Sequence, residues 1–125
     1  MIRTVTAAFL VFALVAPAAW AQTAASEQDD LPLSAEEAEA LYAGLRGAYE
    51  AAKLCRGIEP SEEDREELAA RLNEKTRGQV MPGQQLSMID AAERDLARLH
   101  RQEGCDGPRV SEYLGMYDAQ LSDLF

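Results

Sequence analysis

The sequence predicts a small all-α protein, a four-helix bundle of up-down-up-down order. Three observations carry that expectation. Apolar residues recur at spacings of three and four through most of the chain, whereas sustained alternation of period two is absent. Helix start and stop signals divide the pattern into four segments. The two cysteines, Cys55 and Cys105, close the first and third of those segments. Helices joined by short connections run antiparallel to their neighbours, so the first and third should be parallel, with both C-terminal ends on one side. A disulfide between those ends fits that order.

The first 21 residues are set apart from the rest. Arg3 precedes an apolar run from Ala7 to Ala16, followed by Pro17 and the small-residue stretch Ala18-Ala19-Trp20-Ala21. A positive start, a short apolar stretch and alanines at the third and first positions before a cut are the pattern of a secretory signal peptide, cleaved here after Ala21. The run is about half the roughly 20 residues that a membrane-spanning helix needs. We therefore expect an exported protein with no membrane insertion after cleavage. Ten of the 12 basic residues are Arg, a bias that suits a GC-rich bacterial genome and points to the periplasm. Residues 22–33 are polar and aperiodic and read as a flexible leader, leaving 34–125 as a single helical domain.

Each helix has its own justification. Ser34-Ala35-Glu36-Glu37 is a capping box, in which the Ser oxygen and the Glu carboxylate satisfy each other's backbone donors. Leu41, Tyr42, Leu45, Ala48, Tyr49, Ala52 and Cys55 then share one face, and Gly57 ends the helix. The second helix starts at Ser61, with Glu62, Glu63 and Asp64 in a first turn that suits the helix dipole. Its apolar face is thin: Leu68, Ala69 and Leu72, with Ala70 beside them. Gly78 marks its end, and residues 79–85 read as a loop or helix entry.

The third helix is expected to carry Leu86, Ile89, Ala92, Leu96 and Leu99 on one stripe and to stop at Gly104. Asp106-Gly107-Pro108 is turn chemistry that opens a fourth helix, with Val110, Tyr113, Leu114, Tyr117, Leu121 and Leu124 on its buried face. Tyr42, Tyr49, Tyr113 and Tyr117 should line the seam between the first and fourth helices, each hydroxyl reaching the rim. Phe125, at the chain's end, is a candidate for apolar surface left unclaimed.

Composition narrows function mainly by exclusion. With 22 acidic and 12 basic residues the net charge is -10, and removal of Arg3 makes it -11. Such a surface opposes binding to nucleic acid or anionic lipid, both of which need a basic face. Two cysteines 50 residues apart in an exported chain favour a structural disulfide over a redox pair, which is usually Cys-X-X-Cys. That spacing also rules out covalent haem attachment and a cysteine-rich zinc site.

The only histidine is His100, and the residue three before it is Ala97, so the Glu-x-x-His pairs of di-iron bundles are absent. A strand-turn-helix elbow for a Ser-His-Asp site and a Gly-rich phosphate loop are lacking as well. The acidic run from Glu59 to Glu67 contains Pro60 rather than the turning Gly of a calcium loop. No catalytic residue, metal ligand set or cofactor is expected.

What remains is a non-enzymatic, protein-binding accessory, inhibitor or immunity-type module of the bacterial cell envelope. Its partner-facing candidates are Glu62, Glu63, Glu66 and Glu67, which suit a basic partner. A second reading is a nucleotide-independent periplasmic chaperone loosened by acid. A third is a soft-metal or small-ligand carrier using Met81, Met88, Met116 and His100.

Overall fold

A computed structural model describes residues 33–125. The expected signal peptide and nearly all of the expected leader lie outside the described residues. The described residues form four helices, α1 (Ala35–Arg56), α2 (Glu62–Lys75), α3 (Pro82–Glu103) and α4 (Pro108–Gln120), followed by a 3-10 turn, Ser122–Leu124. The fold is all-α, an up-down-up-down bundle with one disulfide joining the C-terminal ends of α1 and α3. No helix among the described residues is long and apolar enough to cross a membrane.

The helix boundaries follow from local chemistry. Ser34 Oγ accepts from the Glu37 backbone N–H at 3.1 Å, and the Glu37 carboxylate accepts from the Ser34 N–H at 3.4 Å. Leu33, immediately before this box, packs on the core. Gly57 ends α1 in the left-handed region with φ of 62°, where a side chain would be strained. Ser61 and Asp64 repeat the reciprocal cap on α2, at 3.1 and 2.9 Å. The α2 end is tightened by the Thr76 hydroxyl, which donates to the Leu72 carbonyl at 2.7 Å.

The third helix starts earlier than its apolar stripe suggested. Pro82 takes the first helical position, where its missing N–H costs nothing, and the Gln84 side chain accepts from the Met81 N–H at 3.3 Å. Within that helix Leu86 stands about 80° around from Leu96, off the buried stripe, and is 70% exposed. Gln85 takes the inward place instead: its amide donates to the Val80 carbonyl at 2.9 Å and to Asn73 Oδ1 at 3.0 Å.

The fourth helix has a borrowed cap. Gly107 offers no side chain, and the Glu103 carboxylate at the end of α3 accepts from the backbone N–H groups of Arg109 and Val110, both at 2.9 Å. A negative charge at a helix N-terminus also complements the dipole.

Two contacts fix α1 and α3 as parallel neighbours. Near their starts the Gln84 amide donates to Glu39 Oε1 at 2.8 Å, and at their ends Cys55 is bonded to Cys105 with Cα atoms 5.7 Å apart. Helix α4 packs directly on α1. Its Met116 and Tyr113 lie over Gly44 and Gly47, while Asp118 reaches the other end of α1 to form a bidentate pair with Arg56.

The larger core cluster joins Tyr42, Leu45, Ala48, Tyr49 and Ala52 of α1 to Leu68 and Leu72 of α2, Val80, Tyr117 and Leu121. A smaller one joins Ala51 to Leu96, Leu99 and Val110. Each buried Leu is worth roughly 1.5–3 kcal/mol of transfer free energy.

The centre of α1 differs from the single buried face expected for it. Gly47, Ala48, Tyr49, Glu50, Ala51 and Ala52 are all buried, so the helix is enclosed around its whole circumference there. Four of these six residues are Gly or Ala, and their small side chains allow the neighbours to approach closely. In contrast, α2 buries only Leu68 and Leu72, and Ala69 and Ala70 are exposed. Two leucines one turn apart suffice to seat that helix, with help from Arg71–Asp123 at 2.8 Å and Lys75–Gln120 at 2.7 Å.

Candidate functional site

The candidate partner face is the outer side of α2. At about 100° per residue, Glu62, Glu66, Glu63 and Glu67 cover an arc of about 140°, and Leu68 and Leu72 point in the opposite direction. All four glutamates are exposed. The helix's later basic residues are engaged elsewhere: Arg71 with Asp123 and Lys75 with Gln120, both toward the chain's end. Arg65 lies on the flank, next to the buried side. The outward arc therefore carries no basic residue: Ala70 and Asn73 share it with the four glutamates, and Glu74 extends it at the far end.

Carboxylates at the other ion pairs are held by their partners. Hydrogen bonding from Arg56 lowers the pKa of Asp118 below the usual carboxylate range, and Arg71 does the same for Asp123. The Glu103 carboxylate is lowered chiefly by the Val110 N–H, and further by the N–H and guanidinium of Arg109. All three contacts join separate parts of the fold.

A buried charge sits in the middle of α1. The Glu50 side chain is 6% exposed and pairs with Lys53 Nζ at 2.9 Å and, more loosely, with Arg46 Nη2 at 3.8 Å. The same two cations lie over the Tyr49 ring, at 4.9 Å for Arg46 and 5.1 Å for Lys53. Burial raises the Tyr49 hydroxyl pKa, which both cations partly offset. Phe125 covers this region from the chain's end, stacking on Tyr117 at 6.5 Å and tilting against Tyr49 at 5.9 Å. It is 39% exposed, so the apolar surface at the terminus is mostly claimed by its own chain.

Between α3 and α4, over Gly44 of α1, lies an open groove of about 400 Å³ whose walls include Leu99, Tyr113 and Met116. A smaller hollow of about 110 Å³, lined by Ala43, Gly47, Met88, Ala92, Leu96 and Tyr113, lies beside it. The groove's charged rim is internally balanced, with Arg98 paired to Asp95 at 3.3 Å and Arg109 to Glu103 at 3.4 Å. Neither lining contains a histidine, cysteine or serine.

The soft-metal set does not converge. Met81 stands before the first turn of α3 and His100 in its last turn, about 28 Å apart at 1.5 Å per residue. Met88 and Met116 line hollows, and Met81 is 65% exposed. His100 instead lies beside the disulfide. Its ring and the two cysteine sulfurs have their ligand atoms within 4.8 Å of one another. Residue spacing gave no sign of this grouping, because it depends on how the chain turns at Gly104.

Comparison with known protein families, with curated proteins and with solved structures finds no match for this chain.

Proposed function

We propose that the chain is an exported, non-enzymatic protein-binding module of the bacterial cell envelope, of the accessory, inhibitor or immunity type, which docks a basic partner through the outer face of α2. One observation carries this reading. Glu62, Glu63, Glu66 and Glu67 stand exposed on the side of α2 opposite its buried leucines, while Arg71 and Lys75 are turned to Asp123 and Gln120. A one-sign surface speeds encounter with an oppositely charged partner and selects against like-charged ones. The same charge disfavours nucleic acid and anionic membranes.

The test is affinity capture from a periplasmic extract on the oxidised protein, run beside the Glu62→Gln, Glu63→Gln, Glu66→Gln, Glu67→Gln variant. One stoichiometric partner, released by salt and lost from the variant, is the expected result. Equal capture by the variant would move the interface off α2, and no capture by either protein would remove the docking reading.

The acid-activated chaperone reading has a separate support. Asp118, Asp123 and Glu103 tie α4 and the chain's end to the other helices, and each tie weakens when its carboxylate is protonated. An environment-sensitive dye should then bind more strongly at pH 3 than at pH 7. An unchanged dye signal would end that reading.

A further inference from the structure

Cys55, Cys105 and His100 come together from the last turn of α1, the residue after the α3 cap, and the last turn of α3. Gly104 makes this possible. Its φ of 72° lies in the left-handed region, and the turn there brings Cys105 back beside the histidine that precedes it by five residues. All three residues are half-buried, and their ligand atoms fall within 4.8 Å of one another. Around a tetrahedral Zn²⁺, with Zn–S of about 2.3 Å and Zn–N of about 2.0 Å, such atoms stand roughly 3.3–3.8 Å apart. The fold holds the three residues within reach of one ion, and the two sulfurs must part from their covalent bond to take up that spacing.

The electrostatics favour a cation here. Parallel α1 and α3 both end at this point, so the negative ends of two helix dipoles converge on it. That field opposes a bare thiolate, the species needed for nucleophilic or redox thiol chemistry, which is favoured at helix N-termini. It supports a metal that neutralises the thiolates. Among the described residues none hydrogen-bonds to the His100 ring, so its nitrogen lone pair is open to a metal.

We propose that the Cys55–Cys105 disulfide masks a Zn²⁺ site made of Cys55 Sγ, Cys105 Sγ and the His100 imidazole. Reduction by a dithiol transfers two electrons and two protons, breaking the protein disulfide and leaving the dithiol as a disulfide. Zn²⁺ then binds both sulfurs as thiolates, releasing their two protons, and takes a lone pair from neutral His100. Water fills the fourth position. The charge of the ion is cancelled by the two thiolates, and the ends of α1 and α3 remain tied in either state, by a covalent bond or by coordination.

The test uses the full chain, reduced with a phosphine that is then removed without oxygen, and titrated with Co²⁺ and with Zn²⁺ against a chromophoric chelator. One metal per reduced chain is expected, with the thiolate charge-transfer and tetrahedral bands of Co²⁺ displaced by Zn²⁺. The oxidised chain should bind none. His100→Ala should weaken Zn²⁺ binding by tenfold or more in the reduced state, and it should leave the helicity of the oxidised protein unchanged. If reduction alone unravels the helices, Zn²⁺ should restore their circular dichroism. No binding or refolding by the reduced chain, equal binding by the oxidised chain, or unaltered affinity in His100→Ala would each overturn the proposal.

Discussion

Gly47 of α1 lies directly beneath the ring of Tyr113 of α4: a Cβ on Gly47 would sit 2.5 Å from the Tyr113 Cε1 atom. This approach lets α4 pack on α1 at close range and accounts for a glycine inside a buried helix, where it otherwise costs about 0.5–1 kcal/mol. Gly47→Ala should therefore destabilise the fold by about 1–3 kcal/mol despite the better helix propensity of Ala. Gly44 is a control one turn away, since its Cβ would meet only the flexible end of Met116 at 3.4 Å. Thermal unfolding should show a clear loss for Gly47→Ala and a near-neutral result for Gly44→Ala. Equal behaviour would mean that the Tyr113 ring yields freely.

The opposite sign is expected at Gly115. It lies within α4 on an exposed position, and a Cβ there would meet nothing within 4 Å. Gly115→Ala should stabilise the protein by about 0.5–1 kcal/mol, through lower chain entropy in the unfolded state. Denaturant titration should move the midpoint upward with an unchanged slope.

The contrast between these glycines explains what sequence could and could not reveal. Ser34, Ser61 and Pro108 act over three or four residues, so the starts of α1, α2 and α4 were legible. Parallel α1 and α3 followed from helix order and the cysteine positions. The enclosure of α1 did not, because residues 47–52 are small on every side and show no single apolar stripe. Leu86 falls outside the stripe because ten residues of helix place it about 80° from Leu96, whereas Gln85 lies about 20° away and turns inward. The exposure of Glu62, Glu63, Glu66 and Glu67 was expected from their side of the helix. The grouping of His100 with the cysteines was not, since it depends on the left-handed turn at Gly104.

Acid should loosen the connections made by Asp118, Asp123 and Glu103. The folded-state pKa of each is lowered, by Arg56, by Arg71, and by the N–H groups at the start of α4. A group depressed in this way adds stability above its unfolded pKa, about 4, and loses it as pH falls through the folded value. Unfolding midpoints should be flat from pH 7 to about 5 and fall below pH 4. In Asp118→Asn the acid-sensitive part of that fall should shrink, whereas at pH 7 the cost stays small, because Arg56 and Asp118 are 41% and 50% exposed. A profile identical to wild type would show that this pair contributes nothing to acid sensitivity.

The Glu103 contact differs from those ion pairs because its main donors are backbone N–H groups rather than a cationic side chain. Glu103 Oε1 takes two N–H groups of α4 at 2.9 Å, and its side chain lies against Gly107, where an added Cβ would fall 2.3 Å from the Glu103 Cγ. Glu103→Ala removes the borrowed cap and should lower the unfolding midpoint. Gly107→Ala leaves the carboxylate in place but displaces it, and should lower the midpoint similarly. If the two changes act through this one contact, the double variant should lose much less than their sum. Chemical unfolding of the two single variants and the double variant at pH 7 gives that comparison. Additive losses would mean that Gly107 matters for the turn itself and not for seating the Glu103 cap.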